Sequence, residues 1–84
     1  MKVTLKLFAN LSSYLPLEVR RSSRVDLEVA PGATIRAVID QVGVPPERCA
    51  LVLVNGEFIS GRERDGWVLR PDDVLAIWPP VGGG

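Results

Sequence analysis

PGATIRAVIDQVGVPP, residues 31–46, is the stretch that decides the fold. Pro31-Gly32 is turn chemistry. Thr34 then stands where an N-cap belongs, with a hydroxyl able to take an orphan N–H of the first turn. Ile35, Val38, Ile39 and Val42 follow at i, i+3, i+4 and i+7, one apolar stripe of a helix, and Arg36, Asp40 and Gln41 fall on the wet side. Gly43 is the expected residue just past the end, and Pro45-Pro46 keeps the helix from resuming. About nine helical residues are not stable alone, so this helix must lie on a sheet.

The flanking segments supply that sheet. Residues 2–9, KVTLKLFA, alternate: Val3, Leu5 and Leu7 share one face, and Lys2, Thr4, Lys6 and Phe8 the other. Residues 24–30, RVDLEVA, alternate again with Val25, Leu27 and Val29 inward, which predicts an antiparallel partner for the first strand. The long connection at 10–23 breaks periodicity at Asn10, Ser12, Ser13 and Pro16. Leu11, Tyr14 and Leu15 fit one loose turn, and Arg20, Arg21 and Arg24 read as a solvated tip. After the helix, ALVLV at 50–54 is a continuous apolar run, which suggests an interior strand. Asn55-Gly56 signals a type I′ hairpin into the short return strand Glu57-Phe58-Ile59. Residues 60–66 are polar and turn-rich, Trp67-Val68-Leu69 is a brief apolar patch, and Pro71-Asp72-Asp73 turns the chain. VLAIW at 74–78 is the last strand. Strand, strand, helix, strand, short strand, strand is an α+β order. The first and last strands belong side by side in the middle, in the ubiquitin-like β-grasp pattern: a mixed four- to five-stranded sheet with one main helix on one face.

The last strand runs straight into Pro79-Pro80-Val81-Gly82-Gly83-Gly84. Two prolines make this tail stiff and extended. Three glycines then leave a backbone thin enough for a channel too narrow for side chains. The six residues reach on the order of 20 Å, and they deliver the Gly84 carboxylate. The expected organisation is a β-grasp domain at 1–78 and an extended tail at 79–84.

Composition removes whole classes of function. The 84 residues are 46% hydrophobic and 24% charged, a globular balance, with ten acidic and ten basic residues that cancel. A neutral chain argues against nucleic-acid binding. One cysteine, Cys49, and no histidine rule out an internal disulfide and make a zinc or iron–sulfur site an unfavourable reading. Without histidine there is no Ser-His-Asp or Cys-His nucleophile. Residues 1–4 show no signal-peptide core, and no apolar run approaches the ~20 residues that span a bilayer. A cytoplasmic domain without membrane partners is expected. Cys49 reads as a small buried hydrophobe, and Asp72-Asp73 as a turn and not a metal site.

The outer face of the sheet is the second feature of interest. On the last strand Leu75 and Ile77 are assigned to the helix side, with Val74, Ala76 and Trp78 opposite. Phe8 then lies on the side of Trp78, with Val52 or Phe58 as candidate neighbours. Such a patch suggests a partner site. If the 10–23 or 60–70 segment folds over it, Phe8 and Trp78 are plain core.

KLFA at 6–9, PGATIRAVID at 31–40, LVNGEFI at 53–59, Asp73-Val74 and WPPVGGG at 78–84, in this order and spacing, resemble the MoaD/ThiS family of sulfur carriers along nearly the whole chain. The long 10–23 connection and the Pro-Pro-Val tail look most like the small subunit of molybdopterin synthase. Two positions depart from the pattern. Gly82 stands where the family usually has alanine, and Asp72 replaces a turn glycine, which a type I turn after Pro71 would tolerate.

The resemblance implies a carrier and co-substrate and not a catalyst on its own, with no bound cofactor. A carboxylate is a poor electrophile and needs activation, and the chain has no phosphate-binding glycine loop of its own. A ubiquitin-activating-type adenylyltransferase would therefore spend ATP in trans on Gly84. A sulfur donor such as a cysteine desulfurase would convert the adenylate to a thiocarboxylate. The large subunit of molybdopterin synthase would receive the tail. Gly83 and Gly84 are the implied reacting end; Phe8, Phe58, Trp78, Pro79, Pro80, Val81 and Gly82 are the implied partner contacts. The alternatives are a thiamin-thiazole sulfur carrier or a ubiquitin-like protein modifier.

Overall fold

The computed structural model describes residues 1–81. In chain order these form β1 (Lys2–Leu7), two 3-10 segments (Ala9–Tyr14 and Leu17–Ser22), β2 (Arg24–Glu28), α1 (Ile35–Val42), a 3-10 turn (Pro46–Arg48), β3 (Leu51–Val54), β4 (Glu57–Phe58) and β5 (Val74–Trp78). The strands make one five-stranded sheet in the order β2-β1-β5-β3-β4. β1 and β5 pair in parallel at the centre, and every other pair is antiparallel. This is the α+β, β-grasp layout expected from the sequence.

Alternation builds one apolar face. Val3, Leu5 and Leu7 of β1, Val52 and Val54 of β3, and Leu75 and Ile77 of β5 join Ile35, Val38 and Ile39 of α1 in a single buried cluster. Each fully buried aliphatic side chain contributes about 2 kcal/mol, and this burial holds a helix too short to persist alone. Its ends are closed as the sequence predicts. Thr34 Oγ1 accepts the Ala37 N–H at 3.1 Å. Gly43, at φ +82°, donates to the Asp40 carbonyl, and Val44 to that of Ile39, a Schellman ending. Among the described residues no helix is long and apolar enough to cross a membrane.

The structure departs from the sequence expectations at four places. The 10–23 connection is not a loose loop: it forms two 3-10 segments, and Leu11 of the first and Leu15 between the two are buried in the core. Arg20 is not simply solvated either, because its guanidinium ties the Leu15 and Ser13 carbonyls at 2.9 Å each. The first strand ends at Leu7, where this connection begins, and not at residue 9. Asp72 does not sit in a type I turn; its φ of +68° is left-handed, because Asp72 N–H donates to the Lys2 carbonyl at 2.7 Å and fixes the turn against β1.

Candidate functional site

Residues paired across a sheet point to the same side, so the ladders assign the outer face directly. Lys6 pairs Ala76, Ala76 pairs Leu53, and Leu53 pairs Phe58; at the end of β5, Trp78 pairs Leu51. Phe8 lies just past β1, yet its backbone stays extended (φ −97°, ψ 162°), and its N–H donates to the Ile77 carbonyl at 3.1 Å. The alternation therefore continues one residue further and puts Phe8 beside Trp78. The two rings stack with centroids 4.3 Å apart and planes 9° from parallel.

Phe8, Trp78, Leu51, Leu53, Ala76 and Phe58 thus share one face opposite α1. None belongs to the buried core cluster. Phe58 is 58% exposed and Leu51 38% exposed, and Phe8 and Trp78 are half-buried, largely against each other. The two connecting segments leave this face uncovered. Leu11 and Leu15 of one, and Leu69 of the other, turn into the core on the helix side. The second connection is fastened there by Leu69 N–H to the Ala33 carbonyl at 2.8 Å.

Phe8, Phe58 and Trp78 lie on one face, as the alternation predicts, and Phe8 and Trp78 touch. Val52 is the exception: it pairs Ile77 and is fully buried on the helix side. Leu51 and Leu53 take that place instead. The run ALVLV has no polar face, so its alternation is silent about which side is out. Only the pairing with β5 reveals it.

The tail leaves from the same end of the sheet. Pro79 is half-buried, Pro80 is exposed, and Val81 is 93% exposed, so the chain departs from the body within two residues of the aromatic pair. Gly82, Gly83 and Gly84 lie outside the described residues.

Cys49 is buried at 4% exposure, with Sγ 3.8 Å from the Pro45 carbonyl. Burial pushes its thiol above the usual range, although the Arg64 guanidinium nearby works against that shift. Arg64 itself is occupied, donating to the Cys49 carbonyl at 2.7 Å. This is the surrounding of a structural thiol, as the sequence suggests. Among the described residues no group of acidic, cysteine or histidine side chains could hold a metal ion. A hollow of about 450 Å³, lined by Asn55, Glu57, Trp67 and Arg70, lies by the hairpin at the end of the sheet away from the tail. The outer face thus ends beside the point where the chain leaves the body at Pro79–Val81.

A family model described as the ThiS family matches residues 5–84. A search of curated proteins returns no match. Among solved structures, the small archaeal modifier protein 1 of Haloferax volcanii is similar at 31% identity over 100% of both chains, with a TM-score of 0.66. The protein of that name from Methanosarcina acetivorans is similar at 26% identity over 99% of this chain and 96% of that one, with a TM-score of 0.61. A Pyrococcus furiosus protein described as molybdopterin converting factor, subunit 1, shares the fold at 23% identity, over 96% and 99% of the chains, with a TM-score of 0.65.

Proposed function

Because the chain belongs to the ThiS family of ubiquitin-like sulfur carriers, we propose that Gly84 carries sulfur as a thiocarboxylate and yields it to a cyclic pterin precursor of molybdopterin. The observation that carries this reading is continuity. An exposed aromatic and aliphatic face runs without interruption into a tail that first stiffens, at Pro79 and Pro80, and then loses its side chains. The face docks a partner, and the tail enters that partner's active site. The long connection after β1 and the Pro-Pro-Val tail favour the pterin acceptor.

The carrier passes between two partners. An adenylyltransferase of the ubiquitin-activating type joins the Gly84 carboxylate to AMP and releases pyrophosphate. The terminal sulfur of a persulfide, such as that on a cysteine desulfurase, then displaces AMP to form an acyl disulfide, and a thiol reductant cleaves its S–S bond, leaving the Gly84 thiocarboxylate and carrying the other sulfur away as a disulfide. A large synthase subunit holds the acceptor, the thiocarboxylate sulfur attacks it, and hydrolysis returns the carboxylate. Intact mass after incubation with ATP, sulfur donor and the cognate activating enzyme is expected to rise by the difference between one sulfur and one oxygen. An unchanged mass would sink the proposal.

Identity of 31% with a small archaeal modifier protein favours a second reading, attachment of Gly84 to lysines of other proteins. The adenylate serves both outcomes. Higher-mass conjugates detected in the native cell, dependent on Gly84, would support the modifier; sulfur delivery to a pterin by a co-purifying large subunit would support the carrier.

A further inference from the structure

The chain is neutral, but its charges are not evenly placed. The β1–β2 ladder sets Lys2 opposite Glu28, Thr4 opposite Asp26, and Lys6 opposite Arg24. The first pair is complementary. In the second, Thr4 Oγ1 donates to Asp26 Oδ1 at 2.9 Å. The third puts two cations face to face, and like charges directly opposed on a sheet are destabilising. Neither Lys6 nor Arg24 forms an ion pair among the described residues. Both point to the outer face, because Lys6 is also in register with Ala76.

This pair stands at the tail-exit end. Leu7 N–H donates to the Ser23 carbonyl, and Ala50 N–H to the Trp78 carbonyl, so the end of β1, the starts of β2 and β3 and the end of β5 lie together. Arg20, Arg21 and Arg48 flank the same end, together with Glu18 and Glu47. Glu28, Glu57, Asp72 and Asp73 gather at the other end with Lys2, Arg70 and the Met1 ammonium, which pairs with Glu28 at 2.9 Å. A neutral chain polarised in this way meets a partner tail-first, since a dipole is oriented by the field it approaches.

We propose that Lys6 and Arg24, with the Phe8–Trp78 stack, form a seat for an acidic segment of a partner protein. One carboxylate lies between the two cations, and an apolar neighbour lies on the aromatic pair. The uncompensated cationic pair argues for this occupant, because an arriving carboxylate relieves the repulsion that the fold tolerates alone. A nucleic acid fits less well: the two rings are closed on each other and leave no slot for a base. The proposal rests on the outer face being a docking surface.

The test is a nitrogen-15 titration of the full chain with the peptide Glu-Glu-Leu-Leu-Glu-Glu at low salt. Shifts are expected at the amides of Lys6, Phe8 and Arg24 and at the Trp78 indole, fading as salt is raised. Lys6→Glu and Arg24→Glu should each abolish those shifts and also raise the melting temperature, since each turns a like-charged pair into an opposite one. The idea is overturned if the shifts centre on Arg36 and Arg64, if either variant binds like wild type or melts lower, or if oligothymidylate outcompetes the peptide. The titration uses no activating enzyme, so it can fail while sulfur loading succeeds, and the reverse.

Discussion

Asn55 holds two turns with one side chain. Its φ of +51° suits the first position of the hairpin, its Oδ1 accepts the Val74 N–H at 2.8 Å, and its Nδ2 donates to Asp73 Oδ1 at 2.8 Å. Asn55→Gly keeps the permissive backbone and loses both bonds, and denaturant unfolding should show a loss of about 1–3 kcal/mol. The hairpin is legible from Asn-Gly alone. The bond to a residue 18 positions away is not, because no local pattern announces it. Asp72 is the opposite case: its left-handed φ is a strain that glycine would remove. Asp72→Gly should stabilise by about 1 kcal/mol, less the entropy glycine loses on folding, and a thermal melt reads the sign.

At the scale of elements, two apolar residues near the ends of the first connection and the last strand have different duties. Leu11 is fully buried in the core, whereas Trp78 stacks outside it. Leu11→Ala should cost about 2–5 kcal/mol of stability. Trp78→Ala should cost less in folding than in affinity for the activating enzyme; a large drop in melting temperature with unchanged binding would contradict the docking role. Gly83→Val should fold like wild type and fail to load sulfur, since a branched side chain has to pass the same narrow channel. Period-two and period-3.6 patterns make the strands and α1 legible. The 3-10 segments are hidden because their three-residue repeat is cut by Asn10, Ser12, Ser13 and Pro16, which look like loop signals. Half of the outer face is hidden for another reason: Leu51 and Leu53 become external only once β3 has a neighbour.

For the whole molecule, Cys49 is a reporter of opening. Buried and with its thiol pushed up by burial, it should react with iodoacetamide only when the domain unfolds, so labelling should track global stability measured by denaturant. Its folded-state pKa is raised, so its contribution to stability is intact below the ordinary thiol range and is lost as pH rises through the raised value. Stability should therefore decline at alkaline pH, and Cys49→Ala should flatten that decline. The central position of β5 has a further consequence. β1 finds its parallel neighbour only in residues 74–78, so a nascent chain carries an unfilled slot at the middle of this sheet until those residues have emerged from the ribosome. Contacts so distant along the chain slow folding and expose bare strand edges to chaperones in the interval. A message truncated after β4 would yield no partial domain, only a substrate for proteolysis.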